Sequence, residues 1–380
     1  MKVLSKGEAV DVQNPKLAFY NQLQGVLTDI EDGDGVIEYQ VFRTNNDDSA
    51  NSIEDQIFPA TPGDRATVDL TNDRVSAGIY AATFTAGTSK SDDVKHRIQW
   101  FWKQTAADTE KTASQDFEVV DQVIGTGPRY VLEADLRCEG ISKSISSARI
   151  QRAILMSGLM IEKITGRFFE PRVASWRLDG AGKPKLLLEN PIIGVSRIVM
   201  ADDPKDTDEG IDLVNVKIYN RHLSQAMPSR DDRDNPKIEF IHHDDITAYG
   251  GSGHHSGYHQ HGLHSAIHGH GFHFGQQNVT VFGVFGYTEN DGTPWGRTPL
   301  LLERAAALMA IRDLTPLTDA DCRTQDREAW RVTEERTRDQ TVKYDKPRSF
   351  GGAGGSGWTG DPEIDQILSM FIRQPLLGAA

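Results

Sequence analysis

The chain predicts an α+β fold: an amino-terminal antiparallel β-sandwich, a second domain in which helices cover a small sheet, and an extended C-terminal tail. Three observations predict it. Alternating apolar runs with no helical period between them fill Gln22 to Val120, which is the pattern of short antiparallel strands. A helical period then appears near Ser147, gives way to period two and returns at Thr298, the order expected of an α+β unit. Finally, GGAGGSG (351–357) separates this core from an apolar C-terminal segment. At 380 residues the chain exceeds one ordinary core and fits two domains with extensions.

The first domain spans 14–121. Its strand candidates are VIEYQVF (36–42), ATVDL (66–70), GIYAATFTA (78–86), RIQWFW (97–102) and QDFEVV (115–120), parted by Gly, Asp, Asn and Pro. Ile98, Trp100 and Trp102 alternate along one run, so they share one face and are expected to form half of the sandwich core. The architecture is immunoglobulin-like, without a cysteine pair to brace it. Residues 29–73 hold twelve acids against Arg43 and Arg65. DGDG at 32–35 hints at calcium, but the twelve-position loop with its terminal glutamate is missing; a solvated turn explains the same residues.

The second domain spans 122–340. Residues 121–142 read as a linker, and serines at 142, 144, 146 and 147 offer helix caps. SARIQRAILMSGLMIEKITG then reads as a helix of about five turns, with Ile150, Ile154, Leu155, Leu159 and Ile161 near one side and Gly166 as its stop. Strand-like runs follow at 174–179, 185–189, 195–201, 212–220 and 237–243, and NVTVFGVFGY adds another. Thr298-Pro299 has the form of an N-cap with proline at the first helical position, opening LLLERAAALMAIRDL, which Thr315-Pro316 stops. The tail is 341–380.

Charge and targeting narrow the function classes. Lys and Arg number 41 against 55 acids, a net charge of -14, which argues against gripping a nucleic-acid backbone but not against surrounding DNA without holding it. The amino terminus lacks a secretory apolar core, and no window approaches a membrane span, so a cytoplasmic location or release by lysis is expected. Cys138 and Cys322 have no companion at metal or redox spacing and read as ordinary thiols.

Ten of the twelve histidines lie between 242 and 273, within an insertion at 242–275. His259/His261 and His268/His270 are H-x-H pairs that would each put two imidazoles on one face of a strand, with His273 nearby; imidazole suits a divalent transition metal such as Zn, Ni, Cu or Fe. Gly/His low complexity equally suits a loop with no ligand. Histidines titrating near about 6.5 would also make it a proton switch. Otherwise no cofactor is expected. For catalysis, no GxSxG, P-loop, HExxH or paired Cys/His pattern occurs, and His242-His243-Asp244-Asp245 is the best acid and imidazole cluster, a metal-dependent nuclease-like alternative.

In its second part the sequence resembles the head-to-tail connector, or adaptor, proteins of long-tailed double-stranded DNA bacteriophages and gene transfer agents. The resemblance rests on IEKITGRFFEP (161–171), SWRLD, LLLENPIIGVSRIVM (186–200), GVFGYTE (283–289), the helix at 298–314, ERTRDQTVKY and GDPEIDQIL. It covers roughly 130–380 and leaves the sandwich as an added decoration. It implies a structural virion protein in the neck, assembled in the host cytoplasm and without enzymatic activity. Its twelve-fold ring would bind the portal protein, extend the DNA channel and offer a platform to a tail-completion, stopper or tail-terminator protein. It also implies that the C-terminal segment docks into the portal. There Trp358, Ile364, Ile367, Leu368, Phe371 and Ile372 fall at helical spacing and would present an apolar stripe to a partner groove; the alternative is that this helix folds back on its own subunit. An acidic wall would keep DNA from adhering, although a surplus of acids also serves solubility. A tail-tip or receptor-binding protein is the other class, expected if Trp100 and Trp102 are exposed for glycan binding.

Overall fold

The computed structural model describes residues 2–30, 35–43, 56–87, 95–142, 145–200, 210–223, 232–241, 271–272, 274–314, 358–373 and the backbone of 334–336 and 341–343. It is a mixed α+β protein, mostly strands in several sheets with few helices.

In the amino-terminal part, a six-stranded sheet runs in the order Lys2–Ser5, Lys111–Val120, Lys95–Lys103, Val36–Arg43, Gln56–Phe58, with Ala66–Thr67 also paired to Val36–Arg43. The alternation decides its faces. Ile98, Trp100 and Trp102 point with Ile37, Tyr39, Val41, Phe117 and Val119 into one core. Two small sheets supply the other side of that core, through Phe19, Ile79 and Tyr80 from one and Val10 and Phe84 from the other. On the outer face Phe101 lies under the Arg65 guanidinium, 3.6 Å from the ring centroid, a cation–π contact that covers the aromatic without burying the charge.

The expected boundary at residue 14 differs from what is found. Lys2–Ser5 is an edge strand of this sheet, pairing in parallel with Phe117–Val120. The stretch Gln22–Leu27 pairs with the second part, where Val26 pairs with Val195, while Leu27 still packs in the amino-terminal core. That second sheet has the order Arg172–Gly180, Gly275–Phe285, Ile192–Met200, Val26–Leu27, Gln22–Leu23. It packs on a small sheet of Lys185–Leu187, Lys237–Phe240 and Val216–Ile218, with Leu186, Ile198, Val216, Ile238, Val281 and Phe285 in the shared core. Of the expected strand at 212–220 only Val216–Ile218 forms; Leu213–Asn215 is a 3-10 turn capped by Asp212.

The helices do not cover the sheet as expected; they pack on one another. Glu133–Cys138 (α1), Ser147–Thr165 (α2), Leu300–Leu314 (α3) and Pro362–Phe371 (α4) build a separate core with Tyr130, Phe169 and Tyr287. α1 falls inside the expected linker. α2 ends where predicted, because Gly166 adopts φ 67° and its N–H donates to the Glu162 carbonyl at 2.9 Å, a left-handed cap that glycine reaches without strain. Its buried line is Ile150, Ala153, Ile154 and Ile161, whereas Leu159 is 44% exposed, correcting its expected place on the inner face. α3 begins one residue later than expected: the Pro299 carbonyl accepts from Leu302 and Glu303, while the Thr298 hydroxyl donates to the Phe169 carbonyl.

Candidate functional site

Four of the seven segments that carry the sequence resemblance, 161–171, 283–289, 298–314 and 360–368, meet in one core. Phe169, from the loop after α2, stands edge-on to Tyr130 (5.7 Å), Tyr287 (5.7 Å) and Phe371 of α4 (5.6 Å), an arrangement that aromatic quadrupoles favour. The Tyr287 N–H donates to the Phe168 carbonyl at 2.9 Å. Beneath this cluster, the Tyr130 hydroxyl donates to Glu162 (2.6 Å) and accepts from the Phe169 N–H (3.2 Å), and Arg172 bridges Glu162 and Glu170. Burial pushes the Tyr130 phenol up, and neighbouring Glu162 adds to it, so it stays a donor at physiological pH. Burial works to raise Glu170, but cations around it, Lys2 and Arg172 among them, hold it below the ordinary carboxylate range.

α4 is the element in which the sequence placed portal docking, and it is built from its own signals. Asp361 caps it, accepting from Glu363 and Ile364 at 2.9 and 3.3 Å, with Pro362 in the first turn. The Thr359 N–H and hydroxyl both donate to Asp365, at 2.9 and 2.8 Å. The predicted stripe forms, but its direction corrects the expectation: Ile364, Ile367, Leu368 and Phe371 are buried in the helical core against α2 and α3. The alternative, that the helix folds back on its own subunit, describes this chain. The reason is area: four apolar side chains cover the Phe169–Tyr287 cluster, each contributing roughly 1.5–3 kcal/mol by burial. Ile372 is half-buried, and Trp358, 45% exposed, and Met370, 58% exposed, remain on the surface.

A charged cleft of about 450 Å³ lies where the amino-terminal sheet meets the helical core. Lys95 reaches Asp116 (3.1 Å) and Asp135 (3.5 Å), and Arg97 donates to Asp116 at 2.8 Å. Arg297 and Glu303 complete its rim. Burial, with Asp135 adding to it, pushes Glu303 up to about 7. Behind the cleft, Glu118 accepts from the N–H groups of Glu133 and Ala134, both at 3.0 Å, at the start of α1, and burial pushes it up to about 7. The Lys95–Asp135 pair and the Glu118 hydrogen bonds join the sheet to α1, while Asp116 ties two strands of the sheet to each other. Nothing in the sequence marked Glu118, since an acid alternating with Phe117 and Val119 reads as solvent-facing; the Glu133/Arg137 spacing was the available sign of α1.

Trp100 and Trp102 are buried in the amino-terminal core, with Trp100 5.6 Å from Phe19, so they offer no glycan-binding face. His242, His243, Asp244, Asp245, His259, His261, His268, His270 and His273 lie outside the described residues, as do Asp32, Asp34 and Cys322. Among the described residues no group of three or more His, Cys, Asp or Glu is placed to hold a metal, Cys138 is a free, exposed thiol, and no helix is long and apolar enough to cross a membrane. No protein-family model matches the sequence, and no curated protein matches it.

Proposed function

We propose that this chain is a structural subunit of a virion neck: a head-to-tail adaptor that assembles as a ring beneath the portal, continues the DNA channel and receives a tail-completion protein. One observation carries the reading. Segments 161–171, 283–289, 298–314 and 360–368, four of the seven whose order underlies the resemblance to connector proteins, share one helical core that includes Phe169, Tyr287, Leu302 and Ile364. Such convergence supports reading these segments as one structural unit. The immunoglobulin-like decoration is part of this proposal, as is passage of DNA without adhesion past a chain of net charge -14. With the stripe of α4 covered by its own chain, portal contact at the C-terminal helix falls to its outer side, where Trp358 and Met370 stand.

Negative-stain imaging and mass determination of the purified chain, alone and mixed with portal rings, tests the reading. An annulus near twelve-fold that caps the portal is expected. A chain that stays monomeric or forms a small oligomer indifferent to portal rings overturns it.

A further inference from the structure

The C-terminal helix is joined to the rest of its core in an unusual way. Arg312, in the last turn of α3, donates to the Thr359 carbonyl at 3.1 Å, so α3 ends beside the start of the α4 segment. Yet residues 315–357 lie between them. Connections between packed helices need about 2–8 residues; the 43 residues present here include the hairpin Glu334–Arg336 with Thr341–Lys343, and the 33 residues outside it can extend at most about 110 Å. A compact chain of 380 residues has a radius of gyration of only about 21 Å. The connection is far longer than its own subunit requires and long enough to reach a neighbouring one.

α4 is also self-contained. Its cap (Asp361) and its Thr359–Asp365 bonds belong to the segment 358–373, and it meets α2 and α3 chiefly through Ile364, Ile367, Leu368 and Phe371. Few polar ties anchor it across the groove: Arg304 to Glu363 (2.7 Å), Arg312 to Thr359 and Asp361, Arg373 to Glu189 (3.2 Å), and the Arg373 N–H to the Thr165 carbonyl (3.0 Å). This is the geometry of an amphipathic helix bound in an apolar groove.

We propose that α4 is an exchangeable element, and that in the assembled ring the groove between α2 and α3 of each copy receives α4 from a neighbouring copy. Exchange of an identical element preserves each of these contacts, so only association entropy opposes it. Closing a ring of many such contacts offsets that cost by raising effective concentration. The proposal rests on the ring reading and adds to it a head-to-tail contact between second copies of this chain.

The test uses full-length chains with Cys138 and Cys322 replaced by Ser, carrying either Arg304→Cys or Glu363→Cys. Both positions are solvent-exposed, and a surface ion pair contributes little to stability, so folding should survive. The two chains are co-assembled and treated with a short bismaleimide, alongside a chain carrying both substitutions. Exchange predicts a covalent product joining an R304C chain to an E363C chain, and a multimer ladder from the doubly substituted chain. A ring of correct mass whose doubly substituted chains give single-chain products alone overturns exchange and leaves the ring. A chain that forms no ring overturns the ring reading and exchange together.

Discussion

Glu118 shows how one residue can couple the two halves of the molecule. It sits in a strand of the amino-terminal sheet, 6% exposed, and its carboxylate accepts from the first N–H groups of α1. Burial comes first in pushing it up to about 7, and Glu133 and Asp135 on α1 add to the rise; Arg129 is the cation that faces it. A carboxyl raised in the folded state keeps a proton that the unfolded state has lost. Stability from this group is therefore full below about 4.5 and falls as pH rises to about 7, by up to about 3 kcal/mol. Glu303 titrates in the same direction and over the same window. Glu118→Gln keeps an acceptor for α1 and removes the titration. Its thermal midpoint should change less between pH 5 and 8 than that of the parent chain; equal slopes would show that Glu118 does not carry the dependence.

At the scale of elements, α2 depends on a glycine that helix propensity disfavours. A Cβ at Gly158 would press into the carbonyl oxygen of Pro128, so the helix approaches that loop by lacking a side chain there. Gly158→Ala gains up to about 1 kcal/mol of propensity, but the displaced backbone contact should outweigh it. A lower midpoint in a thermal melt is expected, and a higher one would mean that the loop yields. For α4, the sequence suggested an extended tail that docks into a partner, whereas four of its side chains complete the helical core. Removing residues 358–380 should expose Phe169 and Tyr287, lower the midpoint and increase binding of a hydrophobic dye; unchanged values would mean that the core closes without this helix. The helix was legible because its stripe has the helical period, and Asp361-Pro362 was a further capping signal available in the sequence. The partner of that stripe was not, because periodicity reports that a face is apolar and not what covers it.

For the whole molecule, the boundary near residue 121 divides the sequence more cleanly than it divides the fold. Gln22–Leu27 crosses into the second sheet, and Trp295 crosses back, 5.5 Å from Phe19 and 6.0 Å from Tyr20. Fragments 1–121 and 122–380 should each lose cooperativity, while the intact chain unfolds in a single calorimetric transition; two independent transitions matching the fragments would refute this unity. The sequence by itself determined the α+β class, the inward face of Ile98, Trp100 and Trp102, the extent of α2 with its Gly166 stop, and the existence of α3 and α4. These depend on local rules of period, capping and turn chemistry, which act within a few residues. Only the tertiary structure decided that the helices pack on one another, that the stripe of α4 turns inward, that Lys2–Ser5 pairs in parallel with a strand more than a hundred residues away, and that Glu118 is buried. Those outcomes depend on which apolar surfaces meet across long separations, a choice made by the total area buried and the charges left to pair.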